Sequence, residues 1–138
     1  MQSILHVVDV SVSPSDVFDA IGTVDGLSHW WTTKVSEADG VIEFTFVPGA
    51  FNPQMRVDER SAPSAIAWTC VGGADDWVGA AIRFDVREHE GGSRVVFRQG
   101  YGVEIDEESY GVYNFNWGYY LESLRLLCET RTGKPFQA

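Results

Sequence analysis

The chain is poor in basic residues. It has ten lysine and arginine residues against twenty aspartate and glutamate residues, which gives a formal net charge of −10 at pH 7. The basic residues are scattered along the sequence and form no cluster. Because nucleic acids and anionic membrane surfaces are bound through clustered positive charge, the sequence predicts neither as a partner. The acidic excess favours solubility.

Long hydrophobic runs and closely spaced cysteines are missing too. No segment approaches the roughly 18 consecutive apolar residues that indicate a membrane span. The first ten residues, MQSILHVVDV, lack the basic region and the apolar core of a secretory signal. Cys70 and Cys128 are far apart and fall at apolar positions, so we interpret both as core residues. These features favour a reduced, cytoplasmic protein.

Catalytic and metal-binding motifs are absent as well. The three histidines, His6, His29 and His89, are scattered without zinc-ligand spacing. There is no nucleophile elbow, no phosphate-binding glycine loop and no pair of carboxylates at a spacing that indicates catalysis. Gly72 and Gly73 are interpreted as a turn. The sequence therefore assigns no catalytic residue, no metal ligand and no cofactor.

Aromatic residues, in contrast, are abundant. The 138 residues include five tryptophans, and aromatic side chains make up 13% of the chain. This length fits a single domain, residues 1–138, that is large enough to bury a real core. So many rings require a core, a cavity or an interface to pack in.

The start of the sequence, residues 4–31, predicts one strand followed by two short helices. Residues 4–12 alternate as a strand. Ser13 then caps a helix that has Pro14 in its first turn and ends at Gly22. The segment DGLSHWW, residues 25–31, predicts a second short helix.

Alternating strands fill the middle of the chain, and Gly- or Pro-rich turns separate them. Glu90-Gly91-Gly92-Ser93 predicts a hairpin turn. After the first strand and the two helices, the pattern predicts about six strands in an antiparallel meander. The side chains predicted to point inward are Ile42, Phe44, Phe46, Met55, Val57, Ile66, Trp68, Cys70, Val78, Ala80, Ile82, Phe84, Val86, Val95, Phe97, Gln99 and Tyr101.

A long amphipathic helix is predicted over residues 107–132. Asp106 is its expected N-cap, and Gly133 and Pro135 form its stop signal. We expect a break near Gly111, and a close approach of another group at Gly118. The face predicted to be buried carries Tyr110, Tyr113, Trp117, Leu121, Leu124 and Cys128, while Phe115, Tyr119 and Leu126 lie on the back.

The order of these elements and three segments resemble one superfamily. The segments are SPSDVFDAI near the start, LSHWW after the first helices, and YYLESLRLLCET with the later GKPF at the end. On these residues the chain resembles the START-like (SRPBCC) superfamily over nearly its whole length. Within it, the chain is similar to bacterial single-domain members of the branch homologous to the activator of the heat-shock chaperone ATPase. It departs from the pattern at Arg131, where relatives often carry glycine.

This resemblance implies an α+β helix-grip fold. A curved antiparallel sheet of about six to seven strands wraps around the C-terminal helix, two short helices follow strand one, and a cavity lies between sheet and helix. Superfamily members bind lipids, sterols, plant hormones or polyketides there. Each side chain expected at this cavity could instead simply fill the core. The residues expected to bind a ligand are Trp31, Phe46, Met55, Trp68, Phe84, Phe97, Tyr113, Asn114, Trp117, Tyr120 and Leu121.

Three functions remain open at this point. The first is a non-enzymatic domain that binds a hydrophobic or aromatic small molecule. The second is a cyclase-like or hydrolase-like enzyme that uses Tyr113, His29 and Arg56 for proton transfer and charge stabilisation. The third is a protein-interaction module related to chaperone ATPase activators, or a homodimer, that uses the apolar back of the last helix.

Overall fold

The computed structural model describes residues 3–138 and shows one antiparallel sheet against one long helix. The strands are β1 (Ser3–Val10), β2 (Lys34–Ala38), β3 (Val41–Thr45), β4 (Gln54–Ser61), β5 (Ala65–Gly72), β6 (Ala81–His89) and β7 (Gly92–Gly100). The helices are α1 (Pro14–Gly22), α2 (Val24–Ser28) and α3 (Glu107–Thr130), with a 3₁₀ turn at Asp75–Trp77. The predicted α+β helix-grip fold is confirmed.

The seven strands pair in the order β1-β7-β6-β5-β4-β3-β2. Strands β2 to β7 lie side by side in chain order. Strand β1 pairs with β7 instead, and it also contacts α3. A register shift between Val57 and Glu59 interrupts the pairing of β4 with β5. Such bulges increase strand bending and twist, which helps the sheet to curve around the helix.

The core lies between the inner face of the sheet, α1 and α3. Ring packing connects these layers, since the Trp117 ring lies 4.3 Å from that of Phe97 and 4.9 Å from that of Trp31, centroid to centroid. Trp117 Nε1 donates a 2.6 Å hydrogen bond to Oε1 of the fully buried Gln99. The helix is therefore fixed to the sheet by packing and by a buried polar contact. No helix within residues 3–138 is long and apolar enough to span a membrane.

Three details of the fold differ from the sequence prediction. The predicted break near Gly111 is wrong, because α3 continues through this exposed glycine and no neighbouring group would meet a side chain there. Val78 does not point inward. It follows the 3₁₀ turn, before β6 begins, and is 44% exposed. Strand β2 was not predicted as a separate strand, and its residues are mostly exposed.

Most other local predictions are confirmed. Ser13 and Asp106 cap α1 and α3 through their side chains. The β6–β7 hairpin turns at Glu90 and Gly91, both with positive φ as this tight turn requires. The close approach expected at Gly118 is not found, because a Cβ built there would lie 3.7 Å from the His6 ring, which is an ordinary van der Waals distance. Cys70 and Cys128 are free thiols, and burial raises the pKa of Cys128 to about 11.

Arg131 closes α3 in the left-handed conformation, with φ of 67°, and its backbone N–H donates to Leu127 O at 2.8 Å. A side chain in this conformation costs about 1 kcal/mol that glycine avoids. We therefore expect Arg131→Gly to raise the free energy of unfolding by about 0.5–1 kcal/mol in urea titrations. Arg131→Ala removes the same charge but keeps the Cβ, so it should give no such gain. Equal stabilisation by both substitutions would contradict the backbone explanation.

Candidate functional site

A partly open pocket of about 350 Å³ lies where one end of the sheet meets α3. Eight of its ten lining residues are aromatic, and the other two are Val47 and Asn116. The eight rings belong to Trp31, Phe46, Phe51, Trp77, Tyr113, Trp117, Tyr120 and Phe136. The volume lies near the lower end of the roughly 300–1,000 Å³ that small-molecule sites occupy.

Trp31 forms the inner wall of the pocket. It follows α2 and is 3% exposed, with its ring centroid 4.4 Å from that of Phe44 and 5.2 Å from that of Phe46. Its backbone carbonyl accepts a 2.9 Å hydrogen bond from the N–H of Phe136. Trp31 therefore connects the core to the C-terminal segment that carries Phe136 and closes one side of the pocket.

The loop after β3 supplies the second wall and is held by Asn52. The Asn52 side chain accepts from Phe46 N and donates to Val47 O, each at 2.9 Å. Its backbone N–H donates to Gly73 O at 2.8 Å. These bonds fix the position of Phe51, whose ring centroid lies 5.0 Å from that of Trp77 and 6.2 Å from that of Tyr113.

The segment after α3 returns to the pocket and supplies Phe136. Buried Ser123 donates to Trp30 O at 2.8 Å and accepts from Lys134 N at 2.7 Å. Gly133 fits close beside α2, because a Cβ there would lie 2.4 Å from His29 O. The returning chain places the Phe136 ring 5.4 Å from that of Phe46.

Few polar groups reach the pocket. The Tyr113 hydroxyl donates to Asp76 Oδ2 at 3.1 Å. Burial, with the Asp76 charge as a smaller cause, raises the pKa of Tyr113 to about 12, so this phenol stays protonated at neutral pH. Burial also raises the pKa of Tyr120. Asn116 adds an amide, and the lining residues, all within the described part of the chain, include no lysine, arginine or histidine.

The structure separates the predicted ligand-binding residues into three groups. Trp31, Phe46, Tyr113, Trp117 and Tyr120 line the pocket. Asn114 is exposed, and its Oδ1 lies 3.0 Å from His6 Nε2. The remaining residues are buried in the core and do not line the pocket: Met55, Trp68, Phe84, Phe97 and Leu121.

Five lining residues were not predicted from the sequence. Val47, Phe51 and Trp77 lie in irregular segments, Phe136 follows the helix stop signal, and Asn116 is a polar residue on the helix. None of them belongs to an alternating or amphipathic pattern. The available signal was the presence of large rings inside the Gly- and Pro-rich segments PGAFNP, VGGADDW and GKPF.

The proposed proton-transfer residues do not assemble at the pocket. Tyr113 lines it, whereas the side chain of His29 is 58% exposed and that of Arg56 is 55% exposed. His29 Nδ1 lies 2.7 Å from Asp25 O at the end of α2, and Arg56 pairs with Asp58 at 2.9 Å. Within residues 3–138, no three His, Cys, Asp or Glu side chains are grouped to hold a metal ion.

Comparisons with known proteins agree with this fold. The family model for "Activator of Hsp90 ATPase homolog 1-like protein" matches residues 11–129. No curated protein sequence matches the chain. The solution structure of the Aha1 dimer from Colwellia psychrerythraea is 27% identical, with a TM-score of 0.81 over 94% of this chain and 97% of that one.

Two further structures share the fold at lower identity. A protein from Mesorhizobium loti is 16% identical, with a TM-score of 0.81 over 96% of this chain and 100% of that one. A protein from Staphylococcus saprophyticus is 20% identical, with a TM-score of 0.77 over 99% of this chain and 98% of that one. These similarities extend over nearly the whole of each chain.

Proposed function

The chain belongs to the Activator of Hsp90 ATPase homolog 1-like family, and on that premise we propose that it binds a small, mostly apolar molecule in the aromatic pocket. The observation that carries this proposal is the lining itself, in which eight of ten residues are aromatic. Apolar, ring-lined pockets with a few polar groups are the usual form of small-molecule sites. The family fold supports a ligand-binding role in general, and the pocket suggests where the ligand sits.

The packing of the lining residues supports a preformed site. Core contacts hold Trp31 and Trp117, and three hydrogen bonds of Asn52 hold the loop that carries Phe51. A preformed pocket loses little conformational entropy when a ligand binds. The exposed apolar surface of the lining is therefore available for binding without rearrangement of the core.

Asn116→Trp tests the proposal, because it adds a large ring inside the pocket at an exposed helix position. We expect the neutral fluorescent probe N-phenyl-1-naphthylamine to bind the unmodified protein saturably, with one site per chain. The variant should bind it at least about tenfold more weakly, since the added ring occupies the probe's volume. Fluorescence titration and native mass spectrometry measure the affinity and the stoichiometry.

Phe115→Trp is the matched control. It adds an indole to α3 at a position that is 75% exposed and outside the pocket, so probe affinity should not change. Equal probe binding by the unmodified protein and Asn116→Trp would overturn the proposal, as would the absence of saturable binding.

A homodimer is a second proposal, favoured by the dimeric relative from Colwellia psychrerythraea. Val112, Phe115 and Tyr119 form an apolar surface on the outer side of α3 and are 56%, 75% and 49% exposed. We call this surface the outer α3 face. Two copies related by twofold symmetry could bury this face against each other, as isologous dimers do.

Sedimentation velocity tests the dimer. We expect the unmodified protein to sediment as a dimer and Phe115→Glu as a monomer, because the substitution would place two charges in an apolar contact. Leu5→Glu, on the exposed side of β1, is the control and should stay dimeric. A monomeric unmodified protein would contradict the dimer and leave the outer α3 face open to a different protein partner.

A further inference from the structure

We propose that the pocket selects organic cations whose charge is covered by carbon, such as aryl quaternary ammonium ions, over neutral and anionic molecules of the same shape. This inference rests on the small-molecule binding proposed above and adds a charge preference to it. Three features of the pocket carry it, namely the arrangement of its rings, the carboxylate beside them and the absence of positive charge in its wall.

The first feature is a group of three rings at one end of the pocket. Phe51, Trp77 and Tyr113 have pairwise centroid distances of 5.0, 5.7 and 6.2 Å. The Trp77 ring is nearly perpendicular to the other two, at 85° and 75°, whereas Phe51 and Tyr113 differ by only 22°. Rings this close are packed against one another, so a ligand would meet the group from its pocket side, where ring faces attract quaternary ammonium groups through their negative potential.

The second feature is the carboxylate of Asp76, which is next to Trp77 in the chain and half-buried. One of its oxygens accepts the hydrogen bond from Tyr113, so the negative charge lies beside this ring group. A carboxylate can accept further contacts at both oxygens. A cation against the pocket side of these rings would therefore gain a nearby counter-charge beside a mostly apolar wall, where electrostatic attraction is stronger than in bulk water.

The third feature is the lack of positively charged groups that would pair with an anion. The lining residues, all among those that the structure describes, include no lysine, arginine or histidine. An anionic ligand would meet the negative ring faces and Asp76 without a positive partner, and an unpaired charge in such a site is costly. The net charge of −10 adds a long-range preference of the same sign.

Three probes of the same outline separate charge from shape. They are (4-hydroxymethylphenyl)trimethylammonium, its neutral isostere 4-tert-butylbenzyl alcohol, and the anion 4-(hydroxymethyl)benzenesulfonate. Isothermal titration calorimetry at fixed ionic strength gives each dissociation constant. We expect the cation to bind about tenfold more tightly than the neutral probe, which is the scale of cation–π binding in a desolvated site. The sulfonate should bind most weakly.

Asp76→Asn and Asp75→Asn form a matched pair of variants. Both remove one negative charge from the same 3₁₀ turn, but only Asp76 contacts Tyr113, and its amide replacement keeps an acceptor for that hydroxyl. We expect Asp76→Asn to lower the cation-to-neutral affinity ratio by about threefold or more. Asp75→Asn should leave the ratio within about twofold of its original value, since an exposed charge is well screened.

The outcomes distinguish this inference from the proposal beneath it. If the neutral probe binds as tightly as the cation, or if both variants lower the cation-to-neutral affinity ratio equally, the charge preference is wrong. Small-molecule binding would still stand in either case. Failure of all three probes to bind, together with failure of N-phenyl-1-naphthylamine, overturns both. A higher affinity for the cation that depends on Asp76 supports both.

Discussion

Replacing Trp31 with alanine is expected to lower the free energy of unfolding by about 3–5 kcal/mol, which is typical of removing a large buried ring. This indole is 3% exposed, and its centroid lies within 5.2 Å of those of Phe44, Phe46 and Trp117. Its loss would leave a cavity between the core and the pocket. Total stabilities of domains are about 5–15 kcal/mol, so the variant should unfold at much lower urea concentration or fail to fold.

Leu5→Ala is the control for this experiment. It shortens a β1 side chain that is 58% exposed and lies outside the outer α3 face, and surface substitutions of this kind usually change stability by about 0.5 kcal/mol or less. Trp31→Phe should fall between the two, because it keeps part of the ring packing. If Trp31→Ala unfolded at the same urea concentration as Leu5→Ala, the central packing role of Trp31 would be refuted.

Gly73→Ala is expected to lower the free energy of unfolding by about 3 kcal/mol and to weaken ligand binding at the same time. Gly73 has φ of 82°, and a Cβ there would lie 1.8 Å from the backbone oxygen of Asn52. Either Gly73 or the loop that carries Phe51 must then move. Urea denaturation measures the loss of stability, and probe titration measures the effect on the pocket.

Gly49→Ala separates conformational strain from the steric clash. Gly49 lies in the β3–β4 loop that carries Phe51 and has φ of 74°, but nothing lies within 4 Å of a Cβ built there. It should cost only about 1 kcal/mol and leave probe affinity unchanged. Similar losses from both substitutions would show that the close approach of Asn52 to Gly73 does not matter.

Much of the fold could be predicted because its signals are local. Ser13 and Asp106 mark helix starts by side-chain capping, and the alternation around Phe84 and Phe97 identifies strands. Strand β2 gave no such signal, because its exposed, mostly polar residues form the free edge of the sheet. The predicted break at Gly111 failed since one exposed glycine costs about 1 kcal/mol, which a helix of 24 residues packed on a sheet tolerates.

The pocket was harder to predict because it depends on loops. Periodicity indicated that Trp68, Phe84 and Phe97 point inward, but it cannot say how far a side chain lies from an opening. Phe51 and Trp77 are brought together by the contact between Asn52 and Gly73, which are 21 positions apart and share no repeating pattern. The resemblance to a family predicted that a cavity exists, while tertiary contacts decide which rings surround it.

The return of the chain end to Trp31 has a consequence for protein synthesis. Phe136, which closes one side of the pocket, is held by backbone hydrogen bonds to Trp31 and Thr33. Translation proceeds from the N-terminus, and the early strands leave the ribosome while this segment is still being made. The pocket with all of its lining rings therefore exists only in molecules whose synthesis has passed Phe136.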